Sequence, residues 1–408
     1  MLLIIARARK DAKALSHALK EEVLTLKGKR SFEEIDLAFL RNKIPIFFFG
    51  KEDAPLAQEI SKELKKITPL FKVVVLGKKS VRNARLSEII KAFEMAKAEI
   101  RLGFKFEDAF VFTAEKSLIK EIHPDYDAYF LLGKEAKQNY KKFFGIEVKE
   151  GSLIVRKLFN EEEIYAPYLK AIISKKIGEP LKLKFYDKES PSVEVTQETL
   201  IEKNKAWLEA LERVSMEFLK SQAEGEVGVP VSGGKDSTAC LILAAKVFPK
   251  LKALYIKTSH EVPYTEEYVE ELCRELGVPL VKKEVKFDVE SLGLPTHENR
   301  WCTELKMKAL KEIATSTLIV GDREAESRTR RRRAEVEHRL GRELFPLKYW
   351  SGAMVQLYIL MHGIKLHPFY YKGFYRLGCT ICPSLSEWEK IIYPSLFLFP
   401  GHQASQGC

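Results

Sequence analysis

Cysteine is scarce and scattered. Six cysteines in 408 residues do not make the disulfide framework of a small secreted domain. Long apolar runs are missing too. No stretch approaches the roughly 20 residues that a bilayer-spanning helix needs, so no membrane partner is expected. The first residues run from an apolar stretch into Arg7, Arg9 and Lys10. That is the reverse of a secretory signal, and a cytoplasmic location is expected. The eight histidines show no HExxH spacing, which leaves a zinc hydrolase without support. The Walker A spacing GxxxxGK[ST] is also absent. No internal repeat or low-complexity tract interrupts the chain.

What is present reads as a soluble, globular chain too long for one ordinary core, so two or three domains are expected. Lysine and arginine number 68 against 57 acidic residues, a net charge of +11. Such a surplus favours anionic partners, nucleotides or RNA. Because lysines and glutamates are spread through the whole chain, a solvated exterior is the simpler source of much of it.

Short apolar runs alternate with amphipathic stretches over residues 1–115: LLIIA (2–6), IPIFFFG (44–50) and FKVVVLG (71–77) precede helical patterns at 9–21, 53–66 and 86–100. This predicts a small parallel α/β domain. Residues 116–195 are more mixed, with strands expected at 151–158 and 181–187. They are expected to form an α+β linker module with enough basic character to contact RNA. A long helix is predicted over 196–222, with Thr196 as N-cap and Leu200, Trp207, Leu211, Val214 and Phe218 on one face. From 226 the alternation resumes, and 196–408 is expected to form one catalytic domain.

One stretch in that part is dense in polar and flexible residues. Between the apolar stub ending at Val231 and an apolar helix expected from about Thr238 stand Ser232, Gly233, Gly234, Lys235, Asp236 and Ser237. Two glycines allow a sharp turn and a close approach to a ligand. Amides at the helix start point outward with the positive end of the helix dipole. A loop of this kind cradles a phosphate chain.

The order SGGKDS resembles the PP-loop of the ATP pyrophosphatase, or adenine nucleotide α-hydrolase, superfamily. Four further stretches are similar to the phosphoadenylyl-sulfate (PAPS) reductase family within it: YIKTSHEVPYTEEYVEEL (255–272), NRWCTELKMKAL (299–310), GDREAESRTR (321–330) and PFYYKGFYRLGCTICP (368–383). The resemblance covers residues 196–395, and the run-in helix with NKAWLEALE resembles archaeal members. It implies an α/β fold in which N-terminal α/β regions precede a parallel-sheet PP-loop domain. One departure stands out. Lys257, Thr258 and Ser259 occupy the place where the family carries Asp-Thr-Gly, so a base replaces an acid near the nucleotide.

The resemblance implies that ATP, or PAPS, binds at Ser232–Ser237, with Mg2+ as a candidate ion. Lys235, Arg323 and Arg330 are the implied catalytic cations, the two arginines reaching a substrate anion with the bidentate fork that suits phosphate and sulfate. Arg331, Arg332 and Arg333 read as a solvated face, or as a strip guiding an RNA backbone.

Cys379 and Cys382 form Cys-x-x-Cys, a spacing that binds soft metals, and on the residues alone an iron–sulfur cluster, zinc or a redox pair are all open. The resemblance implies a [4Fe-4S] cluster on Cys302, Cys379 and Cys382, with Cys408 as a candidate fourth ligand. Cys240 and Cys273 are expected in the core.

Three functions follow. The first is ATP-dependent adenylation of a substrate with pyrophosphate release, serving sulfur transfer to tRNA and drawing on a sulfur or electron donor protein. The second is reduction of PAPS or adenylyl sulfate to sulfite. Against it stand the complete SGGKDS loop and a tail reading GHQASQGC in place of Glu-Cys-Gly. The third is non-catalytic nucleotide or RNA binding.

Overall fold

The computed structural model describes residues 1–29, 38–157, 161–174, 180–186, 194–385 and 387–393. The first sheet contains β1 (Leu2–Ala6), β2 (Val23–Thr25), β3 (Ile44–Phe49) and β4 (Lys72–Val75), all parallel in the order β2-β1-β3-β4. Helices α1 (Arg9–Leu19), α2 (Ala54–Ile67) and α3 (Leu86–Arg101) follow β1, β3 and β4. A parallel sheet covered on both faces needs continuous apolar strands, and β3, IPIFFF, is buried at every position. Strand β2 escaped sequence reading because three residues are too few to display a period.

A hairpin, β5 (Phe104–Glu107) and β6 (Ala109–Phe112), turns at Asp108. A five-stranded antiparallel sheet follows: β7 (Asp127–Phe130), β8 (Leu153–Arg156), β9 (Glu161–Tyr165), β10 (Leu169–Ser174) and β11 (Lys182–Phe185), ordered β11-β10-β9-β8-β7. The strands expected at 151–158 and 181–187 are β8 and β11, and residues 158 and 187 lie outside the described residues. Helix α4 (Lys134–Phe144) lays Ala136, Tyr140 and Phe144 on Ile154, Ile164 and Ala171.

Helix α5 (Gln197–Gln222) is capped by Thr196, whose hydroxyl accepts the Thr199 N–H at 3.2 Å. Its five expected apolar residues are buried. Asn204 sits among them and joins the hairpin, its Oδ1 accepting the Phe112 N–H at 2.7 Å while its amide donates to Phe110 O at 2.9 Å. A buried amide with partners on both ends carries little penalty.

The third sheet contains β12 (Val227–Val231), β13 (Leu251–Thr258), β14 (Leu280–Val285), β15 (Thr317–Ile319), β16 (Val336–His338) and β17 (Arg342–Leu344), in the order β14-β13-β12-β15-β17-β16. All pairs are parallel except β16 with β17. Its helices are α6 (Lys235–Val247), α7 (Thr265–Glu275), α8 (Val289–Leu292), α9 (Trp301–Ile313), α10 (Arg328–Arg332), α11 (Gly352–Met361) and α12 (Glu387–Ile392). The chain leaves β12 on one side for β13 and β14, then returns on the other side for β15. Strand order reverses at β12, and a reversal of this kind opens a crevice at the carboxyl ends of the strands. One apolar cluster runs from Met1 to Tyr370, so the first and third sheets share a core. No helix among the described residues is long and apolar enough to cross a membrane.

Candidate functional site

The site lies at that reversal. Beyond Val231 the backbone turns at Gly233, whose φ of 70° belongs to the left-handed region and favours glycine. Helix α6 begins at Lys235, three residues earlier than the sequence pattern predicts, so Lys235, Asp236 and Ser237 form its first turn. Gly234 serves as N-cap, its carbonyl accepting the Thr238 N–H at 3.0 Å, the Ser237 hydroxyl at 2.9 Å and the Thr238 hydroxyl at 3.1 Å. Two loop amides have partners: Ser232 N–H donates to Ser237 Oγ at 3.2 Å and Lys235 N–H to the Tyr370 hydroxyl at 2.9 Å. Among the described residues, no protein acceptor takes the N–H groups of Gly233, Gly234, Asp236 and Ser237. Together with the dipole of α6 they form an anion site.

These amides open onto a cavity of about 480 Å³ whose near wall includes Ser232, Gly234 and Ser237. Asp322, Glu326 and Arg330, beyond the end of β15, form a side wall. Arg300, Cys302, Lys306, Cys379 and Cys382 line the same space. The cavity therefore joins an anion cradle to a wall of cations and thiols.

The loop residues converge as expected, but two of the cations predicted to meet the substrate turn inward. Lys235 is 1% exposed and does not line the cavity. Its ammonium pairs with Asp236 at 2.7 Å and lies 5.4 Å over the Tyr129 ring and 5.9 Å over the Tyr370 ring. Burial lowers its pKa, opposed by the charge of Asp236. Arg323 is likewise 1% exposed. Instead of reaching a substrate anion, its Nε donates to Asp236 at 2.6 Å and its Nη1 to Asp127 at 2.7 Å. Burial would raise the Asp236 pKa, yet Arg323 and Lys235 hold it down at about 2. Arg330 does line the cavity, paired with Asp322 at 3.2 Å and with Glu326. The basic strip is also largely matched by acids: Arg328 and Arg331 meet Asp125, and Arg333 meets Asp322.

The thiols divide as expected into core and cavity. Burial raises the pKa of Cys240 well above its ordinary value and that of Cys273 to about 11. Cys302, Cys379 and Cys382 share the cavity wall, while Cys408 lies outside the described residues. Lys306 Nζ stands 2.9 Å from Cys379 Sγ and Thr258 Oγ1 at 3.5 Å. Among the described residues no group of three or more His, Cys, Asp or Glu could hold a metal ion. Among the described residues the predicted cluster does not fit this arrangement: Cys379 is engaged by an ammonium and a hydroxyl, and Cys302, Cys379 and Cys382 are not gathered into a metal-holding group.

Lys257, the base at the departure from Asp-Thr-Gly, points away from the cavity and pairs with Glu266 on α7 at 2.7 Å. An acid stands there nonetheless. Glu261 lines the cavity, accepts the Thr258 N–H at 3.2 Å and takes the Tyr255 hydroxyl. Burial raises its pKa. Sequence reading missed it because it stands beyond the expected position, in the loop that carries the chain from β13 to α7. Tyr370 had a weak signal, its place in an aromatic segment. Asp127 and Tyr129 had none, since they belong to a different sheet.

A parallel α/β sheet with an anion cradle at its order reversal defines the class of domain. Residues 226–385 match the family model of the phosphoadenosine phosphosulfate reductase domain. An uncharacterized protein of Methanocaldococcus jannaschii is 32% identical over 224 residues, which are 49% of this chain and 54% of that one. The chain thus spans about half the length of that relative. The phosphoadenosine 5'-phosphosulfate reductase of Cronobacter sakazakii is 24% identical over 201 residues, 45% of this chain and 81% of the reductase. Among solved structures, the U34-tRNA thiolase NcsA from Methanococcus maripaludis with its [4Fe-4S] cluster is 15% identical, with a TM-score of 0.34 over 50% of this chain and 78% of that one.

Proposed function

We propose that the protein binds ATP at Ser232–Ser237 and activates a substrate oxygen by adenylation, releasing pyrophosphate. One observation carries this reading: Gly234, Asp236 and Ser237, whose amides no protein acceptor among the described residues takes, line the cavity that the thiols also line. Fixed amides and the α6 dipole neutralise the phosphate tail, and neutralisation plus positioning is most of what such a transfer requires. The substrate oxygen attacks the α-phosphorus, and the bond to the bridging oxygen of pyrophosphate breaks. A sulfur nucleophile then displaces AMP from the activated carbon. Cys379, beside Lys306, lines the same cavity, and the sulfur nucleophile would come from a donor protein. A tRNA base is the acceptor class we favour, on the basic charge alone. No step is routed through a cluster. The test is pyrophosphate release from ATP with bulk tRNA present, together with iron analysis of anaerobically purified protein. Absence of nucleotide-dependent pyrophosphate release across aerobic and anaerobic preparations defeats the adenylation reading.

The family match and the Cronobacter relative favour a second reading, reduction of PAPS or adenylyl sulfate. Sulfite produced from PAPS with a dithiol donor, and no pyrophosphate from ATP, would select it. A protein silent in both assays that still binds nucleotide would be a binding module.

A further inference from the structure

We propose that Asp127, on β7 of the antiparallel sheet and outside the matched domain, is a positioning residue for the nucleotide loop. It acts through Arg323. This rests on the reading of residues 232–237 as the nucleotide site.

The geometry is a chain of ionic contacts leading from a neighbouring sheet into the first turn of α6. Arg323 Nε donates to Asp236 Oδ1 at 2.6 Å, and Nη1 to Asp127 Oδ2 at 2.7 Å. The guanidinium is buried with no exposed side-chain surface; its contact with Asp127 is shielded from water, while the Asp236 carboxylate borders the cavity. Asp127 is itself fixed three ways. Its Oδ1 accepts the Gly352 N–H at the start of α11 at 2.9 Å and its own sheet's Ala128 N–H at 2.9 Å, and its Oδ2 accepts the Tyr129 hydroxyl at 2.7 Å. The Tyr129 ring then lies beneath the Lys235 ammonium. One short strand thereby reaches both charged residues of the loop, Lys235 by the Tyr129 ring and Asp236 through the Arg323 guanidinium that Asp127 holds.

The charges explain why the link is needed. Lys235 is buried and Asp236 half-buried beside the amides that would receive an anion. Arg323 would leave an uncompensated positive charge in the same pocket, and a buried unpaired charge is costly. Asp127 supplies the balancing carboxylate: two cations and two anions close the cluster. Without it, Asp236 has to satisfy both Lys235 and Arg323, and the first turn of α6 loses its fixed reference to the rest of the molecule.

The test compares the full chain with Asp127→Asn, which keeps the shape and an acceptor but removes the charge. The expected result is faster amide exchange over residues 233–240 and an ATP dissociation constant raised roughly two- to thirty-fold, the range of coupling through such contacts. Lys97→Gln is the control. It disturbs a neighbouring buried cluster around Glu324, and it is expected to lower stability while leaving loop exchange and ATP affinity as in the parent. If Asp127→Asn does not fold, Tyr129→Phe removes one donor to Asp127 while keeping the ring over Lys235, and it is expected to shift exchange in the same direction by less. Wild-type exchange over 233–240 in the folded Asp127 or Tyr129 variant overturns the proposal. So does an equal loosening in Lys97→Gln. If the parent protein fails to bind ATP, the nucleotide reading fails, while exchange over 233–240 still reports the contact chain.

Discussion

A single added methyl group tests the loop most sharply. A Cβ at Gly321 would stand 2.7 Å from the Asp236 carbonyl carbon and 2.9 Å from its oxygen. Backbone atoms cannot swing aside as a side-chain tip can. Gly321→Ala is therefore expected to cost about 1–3 kcal/mol, the usual range for overpacking, read by urea denaturation, and to weaken nucleotide binding because the displaced atoms belong to the cradle. His367 yields a pH prediction. Its side chain is buried, its Nδ1 accepts the Phe369 N–H at 3.3 Å, and burial pushes its pKa down from 6.5 to about 4. The unfolded chain takes up a proton that the folded ring refuses, so this contribution is complete above the unfolded value of 6.5 and stability declines as pH falls toward 4. His367→Gln is expected to flatten that part of the stability profile, and an unchanged slope would refute the assignment. At this scale the sequence made the loop legible because glycine, serine and lysine crowd into six positions. The direction in which Lys235 and Arg323 point was not legible. It is set by Asp127 and Tyr129, more than a hundred residues upstream, and no local pattern carries that information.

At the scale of elements, α6 is the most constrained. Its residues from Thr238 to Ala244 are buried, and it packs with α5 and α11 in the shared core. Leu241→Ala is expected to cost about 2–5 kcal/mol as a cavity-forming change, measured by chemical denaturation, without altering the loop sequence. The parallel strands were readable from the sequence as apolar runs followed by amphipathic helices, and α5 from its apolar spacing and Thr196 cap. The antiparallel sheet was hard to read for a physical reason. Strand β9 spells EEEIY, yet Glu162 and Glu163 are buried. Tyr375 donates to Glu162 at 2.8 Å and Tyr165 to Glu163 at 2.7 Å. Carboxylates satisfied by tyrosines, one on the same strand and one more than two hundred residues away, defeat any reading that equates charge with exposure. Strand β16 was missed for the same reason as β2, being three residues long.

At the scale of the whole molecule, Glu324 joins distant parts of the chain. Its buried carboxylate meets Lys97 and Arg101 of α3 at 2.9 Å each and Lys348 at 3.4 Å. Burial opposes ionisation, but the three cations hold its pKa below the ordinary value. Glu324→Ala would strand those cations, and a loss of about 3–5 kcal/mol is expected, measured by denaturation midpoint. A loss below 1 kcal/mol, the scale of an exposed pair, would show that water reaches the cluster.

Arg323 and Glu324 are adjacent in the sequence and face separate structural neighbours, one toward the antiparallel sheet and the other toward α3 of the parallel sheet. During synthesis the ribosome makes Asp127, Lys97 and Arg101 well before it makes this dipeptide. A chain whose earlier half is misassembled would therefore leave the charges of this dipeptide without the partners that tie it to both sheets.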